Sequence, residues 1–390
     1  MGRLLVTTIV SPVPGVATAP GIGPQQIDIG GAEGLARVLQ ARGERLDGYA
    51  TLHVNAGRNL VVRLQRADGS GIVVKQHRER EDDRYRIERM ANRCWMLSGW
   101  DMGRGAFAPR LLDEWGDQRI LVFELVPAAR SLADLQQADG ELPEEALAAA
   151  GSFTGALHAL ARESVPEEIL ERTSIEDDRR QMVSYWGMDT SGFAVLSPAE
   201  IRLAAAVQRD PLLRTRLADL SDSLVPAAVV HGDLRPENIL RSGRRPGGVA
   251  VIDWELCRWS DPAAEVGHLV GNLLFHVLCS VRAERRDVTA WRSAAEKAVG
   301  AAAHGLGKLW RSYTEQAGSL VSRREGFPSL VAGHTGAALL GRIAGMLRSV
   351  DEISPRDLLI TGIARDLVVN PGKAVGRLFG SPAGTVAEER

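Results

Sequence analysis

Asp233 and Asn238 stand five residues apart in His231-Gly232-Asp233-Leu234-Arg235-Pro236-Glu237-Asn238-Ile239-Leu240, directly behind the apolar run 225–230. A second short apolar run ends in Val251-Ile252-Asp253-Trp254-Glu255. The amide of Asn238 and the carboxylate of Asp253 are hard oxygen ligands, the kind Mg²⁺ takes when it carries substrate phosphates. Asp233 then remains to accept a proton from an attacking hydroxyl. Nearer the N-terminus, Lys75 closes the apolar stretch Ile72-Val73-Val74, where a strand-borne ammonium can pair with phosphate oxygens. These residue types point to phosphoryl transfer. The plainer alternative is two solvated turns behind buried strands and an edge-strand lysine. Order, spacing and adjacent apolar runs favour the chemical reading.

The elements that must position these groups fall into two regions. Residues 11–31 are rich in Pro and Gly and read as a linker, and 32–43 reads as a short helix with Leu35, Val38 and Leu39 on one face. Strand-like runs follow at 50–54, 60–64 and 72–75, with Asp68-Gly69-Ser70-Gly71 as a hairpin turn. A helix is expected over 85–97 and two more strands at 110–112 and 119–123. After about residue 126 the pattern turns helical, over 142–162, 198–220, 262–282, 291–316 and 329–350, interrupted by strand-like pieces at 227–230 and 249–252. The expected organisation is an N-terminal extension (1–45), a strand-rich lobe (46–125), a helix-rich lobe (126–370) and a tail (371–390).

Composition narrows the partners. The chain has 390 residues, 45% hydrophobic and 25% charged, with a formal net charge of −2. No basic field invites nucleic acid. Cys94, Cys257 and Cys279 lie far apart without metal-ligand spacing, which fits a reducing cytoplasm and inert core thiols. No apolar run of about 18 residues is visible, so no membrane-spanning helix is expected. Arg3, the apolar run 4–10 and Ala17-Thr18-Ala19 imitate a secretory signal, but Thr7, Thr8 and Ser11-Pro12 interrupt it, and an extension is the better reading.

HGDLRPEN, with Asp253 twenty positions after Asp233, resembles the catalytic and metal loops of the protein-kinase-like superfamily. The eukaryotic loop reads H-R-D-L-K-P-E-N, so Gly232 and Arg235 are the differences. H-G-D with Asp253-Trp254-Glu255 resembles the aminoglycoside phosphotransferases. The run Gly57-Arg58-Asn59 is similar to their phosphate-covering loop, and Leu121-Val122-Phe123-Glu124-Leu125-Val126 to their hinge. Asp261-Pro262-Ala263 resembles the element that follows their metal triplet.

The resemblance implies an α+β, two-lobed protein-kinase-like fold, with a small antiparallel-sheet N-lobe and a larger, mainly helical C-lobe. It also implies ATP and Mg²⁺ as cofactors. Asp233 would orient and deprotonate the acceptor hydroxyl, and Arg235 would contact the γ-phosphate. Asn238 and Asp253 would hold metal. Lys75 would bind the α- and β-phosphates, braced by a helix glutamate, Glu88 rather than Glu79 or Glu81. Gly57, Asn59, Glu124 and Val126 would complete the nucleotide site.

His231 is expected to anchor the loop, and His158 to be a packed helix residue. The triplet lacks the DFG glycine and no A-P-E follows, which argues against a regulated protein kinase. Glu265 stands where relatives carry Asp, weakening the expected support of the loop.

The acceptor is less legible. Glu176, Asp177, Asp178, Tyr185 and Trp186 would suit a polyamine-like sugar, but Arg179 and Arg180 adjoin them. The pairing of Gly57-Arg58-Asn59 with Val73-Val74-Lys75-Gln76, HGDLR and VIDWEL is also similar to phosphotransferases of lanthipeptide and thioamitide biosynthesis. Those act on Ser or Thr of a precursor peptide before a partner lyase. Both a small molecule and a peptide stay open as the hydroxyl acceptor, and a catalytically inactive nucleotide-binding or partner-binding protein is the alternative class.

Overall fold

The computed structural model describes residues 5–6, 28–78, 83–96, 107–140, 142–172, 195–243, 248–282 and 288–380. The chain forms two compact units, one of residues 1–129 and 242–256, the other of 130–241 and 257–390.

The first unit is built on a six-stranded sheet in the order β1-β2-β3-β4-β6-β5. The strands are β1 (Leu5–Val6), β2 (Thr51–Ala56), β3 (Leu60–Gln65), β4 (Gly71–Gln76), β5 (Leu111–Trp115) and β6 (Ile120–Glu124). All pair antiparallel except β1, which runs parallel to β2. Alternation sets the faces: Val62, Leu64, Ile72, Val74 and Val122 are buried against Leu35, Val38 and Leu39 of helix α1 (Ala32–Ala41). On the other face Tyr85 of α2 (Arg84–Met96) packs with Leu111, Leu121 and Phe123. The β3–β4 hairpin closes as its sequence suggests. Asp68 accepts from the Ser70 N–H at 2.8 Å, and Gly69 takes a left-handed φ of 84°. The buried strand β10 (Val249–Val251) and the turn after it complete the unit.

The second unit is mainly helical: α3 (Leu132–Asp139), α4 (Glu144–His158), α5 (Glu167–Glu171), α6 (Pro198–Gln208), α7 (Pro211–Asp222), α8 (Pro262–Ser280), α9 (Val288–Ala317), α10 (Ser319–Arg323), α11 (Phe327–Leu347), α12 (Pro355–Val369) and α13 (Pro371–Phe379). Two short antiparallel pairs bracket the loop 231–238: β7 (Arg130–Ser131) with β9 (Ile239–Arg241), and β8 (Ala228–Val230) with β11 (Arg258–Ser260). Helix α4 lies so close on α9 that a Cβ at Gly151 would stand 2.1 Å from the Leu309 carbonyl oxygen. The expected single helix over 198–220 is two helices. Asp210 caps the second by accepting from the Leu213 N–H at 3.0 Å, and Pro211 cannot continue the first. The expectation of no long apolar segment is also corrected. By length and composition α8 and α11 could each cross a membrane, but most of each is buried inside the unit, where they pack on one another.

Candidate active site

In the second unit, strand β8 ends at Val230 and delivers His231 into the core, where it is fully buried. The chain then turns through Gly232 at φ 84°, a left-handed conformation that disfavours any side chain. This explains the glycine of H-G-D in the position of the arginine of H-R-D. His231 Nδ1 accepts from the Asp233 N–H at 3.2 Å, so the histidine anchors the loop as its sequence suggests. Asn238 donates its Nδ2 to the Asp233 backbone oxygen at 2.9 Å and to Oδ2 at 3.2 Å. Arg235 Nε lies 3.3 Å from the same Oδ2. Three residues picked from sequence therefore meet on one carboxylate.

Glu265, on the first turn of α8, holds this loop from below. Its carboxylate accepts from the His231 N–H at 3.0 Å and the Gly232 N–H at 2.7 Å, and pairs with His158 Nε2 at 3.0 Å. His158 in turn lies 3.1 Å from the Tyr313 hydroxyl. Burial works against a charge on Glu265, but the His158 contact and the backbone N–H groups overcome it and hold the carboxyl below its usual range. The glutamate expected to weaken the support of the loop supplies it. His158 is buried in α4, as expected of a packed residue, and is also the partner of that glutamate. On the loop itself Glu237 meets Arg342 at 3.0 Å and His276 at 3.2 Å. Against the effect of burial, those two hold its carboxyl down at about 2.

In the first unit, β4 carries Lys75 to the same side of the strand as His77, two residues on. Lys75 Nζ is 2.7 Å from Glu88 on α2, the glutamate favoured over its neighbours. Glu79 and Glu81 lie outside the described residues. Lys75 also contacts Asp253, and it meets Glu255 at 3.0 Å. Burial alone would lower the lysine's pKa; the carboxylates of Glu88, Asp253 and Glu255 reverse this and raise it. Glu88 is fixed from its other side by His77 Nε2 at 2.8 Å, and Lys75 and His77 keep it ionised despite burial. Asp253 adopts φ 70°, a strained left-handed backbone for a residue with a side chain. Trp254 takes the buried place after it, donating Nε1 to the Val251 oxygen at 3.0 Å.

The remaining nucleotide-side residues divide. Asn59 donates to Glu255 at 2.6 Å. Gly57 N–H donates to the Asn59 oxygen at 3.1 Å in the β2–β3 turn, and a Cβ there would meet nothing nearer than 4.0 Å, so the glycine serves no steric need. Glu124, at the end of β6, accepts from the Arg110 N–H at 3.1 Å, and Val126 is buried. Sequence reasoning assigned no role to Glu255 or His77, and read His158 only as a packed helix residue. The signal for His77 was its period-two relation to Lys75. Glu176, Asp177, Asp178, Tyr185 and Trp186 lie outside the described residues.

An antiparallel-sheet unit and a mainly helical unit make up the fold, as expected, and they hold two sets of groups suited to phosphates and to a hydroxyl. The sequence profile of the phosphotransferase enzyme family matches residues 54–314, and the chain belongs to that family. Among solved structures it is similar to a macrolide 2′-phosphotransferase of Brachybacterium faecium, at 20% identity over 87% of this chain and 98% of that one, with a TM-score of 0.47. A spectinomycin phosphotransferase in complex with ADP and spectinomycin is similar at 13% identity, over 89% and 98%, with a TM-score of 0.49. A putative fructosamine-3-kinase of Thermobifida fusca is similar at 17% identity, over 87% and 99%, with a TM-score of 0.48. No curated protein matches the chain.

Proposed function

We propose that this chain transfers the γ-phosphoryl group of ATP, with Mg²⁺, to a hydroxyl of a small molecule or of Ser or Thr in a natural-product precursor peptide. The observation that carries the reading is the loop carboxylate Asp233, fixed by Asn238 and Arg235 on a backbone that Glu265 holds. Asp233 takes the hydroxyl proton as the acceptor oxygen bonds to the γ-phosphorus. The bond from that phosphorus to the β,γ-bridging oxygen breaks, and ADP leaves. The transition state is loose, with charge spread over the phosphoryl oxygens, so a guanidinium such as Arg235 stabilises it.

Lys75, braced by Glu88, would pair the α- and β-phosphates, with Gly57 and Asn59 covering them and Glu124 and Val126 lining the site for the base. Asn238 and Asp253 offer the hard oxygens Mg²⁺ prefers, and the ion would supply charge neutralisation on the phosphates. A polycationic acceptor needs unpaired carboxylates, and the acid on the catalytic loop, Glu237, is already engaged by Arg342 and His276. The proposal includes a cytoplasmic setting, where ATP is supplied. With a peptide acceptor, a partner lyase would act on the phosphorylated product.

The test is incubation with Mg²⁺ and γ-labelled ATP against aminoglycosides, macrolides, neutral sugars and Ser/Thr-rich peptides, comparing wild type with Asp233→Ala and Asp253→Ala. Label should move to a hydroxyl acceptor in wild type alone. A wild type that binds ATP but transfers label to no acceptor and not to water is an inactive binding protein, and the proposal fails.

A further inference from the structure

The donors assigned to phosphates converge on a carboxylate of the chain itself. Glu255 is buried, and Oε2 accepts from Asn59 Nδ2 at 2.6 Å and from Lys75 Nζ at 3.0 Å. Its Oε1 lies 3.6 Å from Arg58 and 3.7 Å from Arg84, and His77 Nδ1 stands 3.9 Å from Oε2. Arg58 and Asn59 belong to the β2–β3 turn, Lys75 to β4 and Arg84 to α2. Three separate elements thus aim N–H donors at one point, and such convergence defines an anion site. A divalent-metal reading of the nearby cluster of His77, Glu88 and Glu255 is less apt, because the Lys75 ammonium already sits within 3.0 Å of both carboxylates.

We propose that Glu255 is an internal stand-in for a nucleotide phosphate, filling an anion site formed by Lys75, Asn59, Arg58 and Arg84, and that a polyphosphate binds there by displacing it. The proposal rests on the nucleotide reading above and adds a competition to it. Asn59 and Lys75 cannot both satisfy Glu255 and turn to a phosphate, so the β2–β3 turn must release Glu255 as the ligand enters. The three carboxylates around Lys75 also repel a bare polyphosphate, so removing one charge a few ångströms away strengthens binding by at least about tenfold.

The experiment measures Kd for ADP and for inorganic pyrophosphate by calorimetry, with EDTA and again with Mg²⁺. The proteins are wild type, Glu255→Gln, Glu255→Ala, the control Glu114→Gln, a half-buried acid paired with Arg93 and not with Lys75, and Glu255→Gln combined with Lys75→Met. The Glu255→Gln variant keeps an amide oxygen for Asn59 and Lys75, and thermal melting checks its fold; the alanine variant must act in the same direction. The expected result is that both Glu255 variants bind ADP and pyrophosphate at least about tenfold more tightly in EDTA, that Glu114→Gln does not, and that Lys75→Met removes the gain. Unchanged or weaker binding by the Glu255 variants overturns the proposal, because Glu255 then organises the donors instead of occupying them. A gain that survives Lys75→Met, or that Glu114→Gln reproduces, overturns it as well. If no protein in the set binds ADP with or without Mg²⁺, the nucleotide reading itself fails.

Discussion

Glu265→Ala removes the one acceptor shared by His158 and the N–H groups of His231 and Gly232, at 3.0, 3.0 and 2.7 Å. Hydrogen bonds to a buried charge contribute about 1.5–3 kcal/mol each. The three are coupled through one carboxylate and do not add, so the loss from breaking a buried pair, about 3–5 kcal/mol, is the better figure. The helical unit has roughly 250 residues, for which each kcal/mol moves Tm by about 2–4 °C, giving a drop of roughly 6–20 °C. The loop carrying Asp233 loses both backbone tethers, and a displacement of about 1 Å at a reacting group costs on the order of 10²-fold in rate. The assay pairs scanning calorimetry with steady-state phosphotransfer. kcat should fall by about that factor, while KM for ATP, which reports Lys75 and its neighbours, stays within about threefold. Glu265→Asp keeps the charge and should recover some of both losses. His158→Ala leaves the two backbone bonds in place and should lose stability with a smaller loss of kcat. If Glu265→Ala melts within about 2 °C of wild type and keeps its kcat, the loop is held by something else and the reasoning is wrong.

Lys75→Met strips the buried carboxylates of Glu88 and Glu255 and the half-buried Asp253 of their shared cation, so the first unit should lose about 3–5 kcal/mol along with phosphotransfer; chemical denaturation should show some of that loss recovered when Glu255→Gln is added. His334 is buried on α11, and its pKa is lowered from 6.5 to about 4 by burial, with Asp261 and Arg324 as its charged neighbours. Its folded pKa is depressed, so its contribution is complete above pH 6.5 and is lost as pH falls toward 4, by roughly 3 kcal/mol in all. His334→Gln should flatten that region of a denaturation-versus-pH curve. Gly151→Ala places a Cβ 2.1 Å from the Leu309 oxygen and should destabilise by at least about 3 kcal/mol, whereas Gly300→Ala, with open space on α9, should stabilise by about 0.5–1 kcal/mol in the same melt.

What the sequence disclosed followed from how local the signal was. Asp233, Arg235 and Asn238 lie within six residues, so turn chemistry alone was enough to bring them together. Lys75 and Glu88 belong to neighbouring elements, and the resemblance, which implies a glutamate on the helix after β4, pointed to the residue that lies 2.7 Å from Lys75. Ser354 with Asp357 forms a capping box ahead of α12, and Pro355 sits at its first turn, so this helix was legible but went unread within an undivided helical lobe. Glu265 was a different case. Its partners are 34 and 107 residues away, and only the packing of α8 and α4 against β8 reveals that a longer acid reaches the loop backbone. Glu255 was likewise hidden, 196 positions from Asn59, although it stood in the triplet already singled out for Asp253.

Glu255 and Glu265, ten residues apart, are the same device in two settings: a buried acid that gathers donors from several elements. The donors decide what each does. Those of Glu265 include two backbone N–H groups inside a tight turn, which cannot swing toward another acceptor, so that acid fixes geometry and its loss is damaging. Those of Glu255 are a lysine, two arginines and an asparagine, three of them on long side chains that can re-aim at low strain. They are also the residue types that bind phosphate. An acid holding re-aimable phosphate donors is a competitor of the ligand, whereas an acid holding backbone is a strut. The two glutamates should therefore respond oppositely to neutralisation, with nucleotide binding strengthened at Glu255 and turnover lost at Glu265.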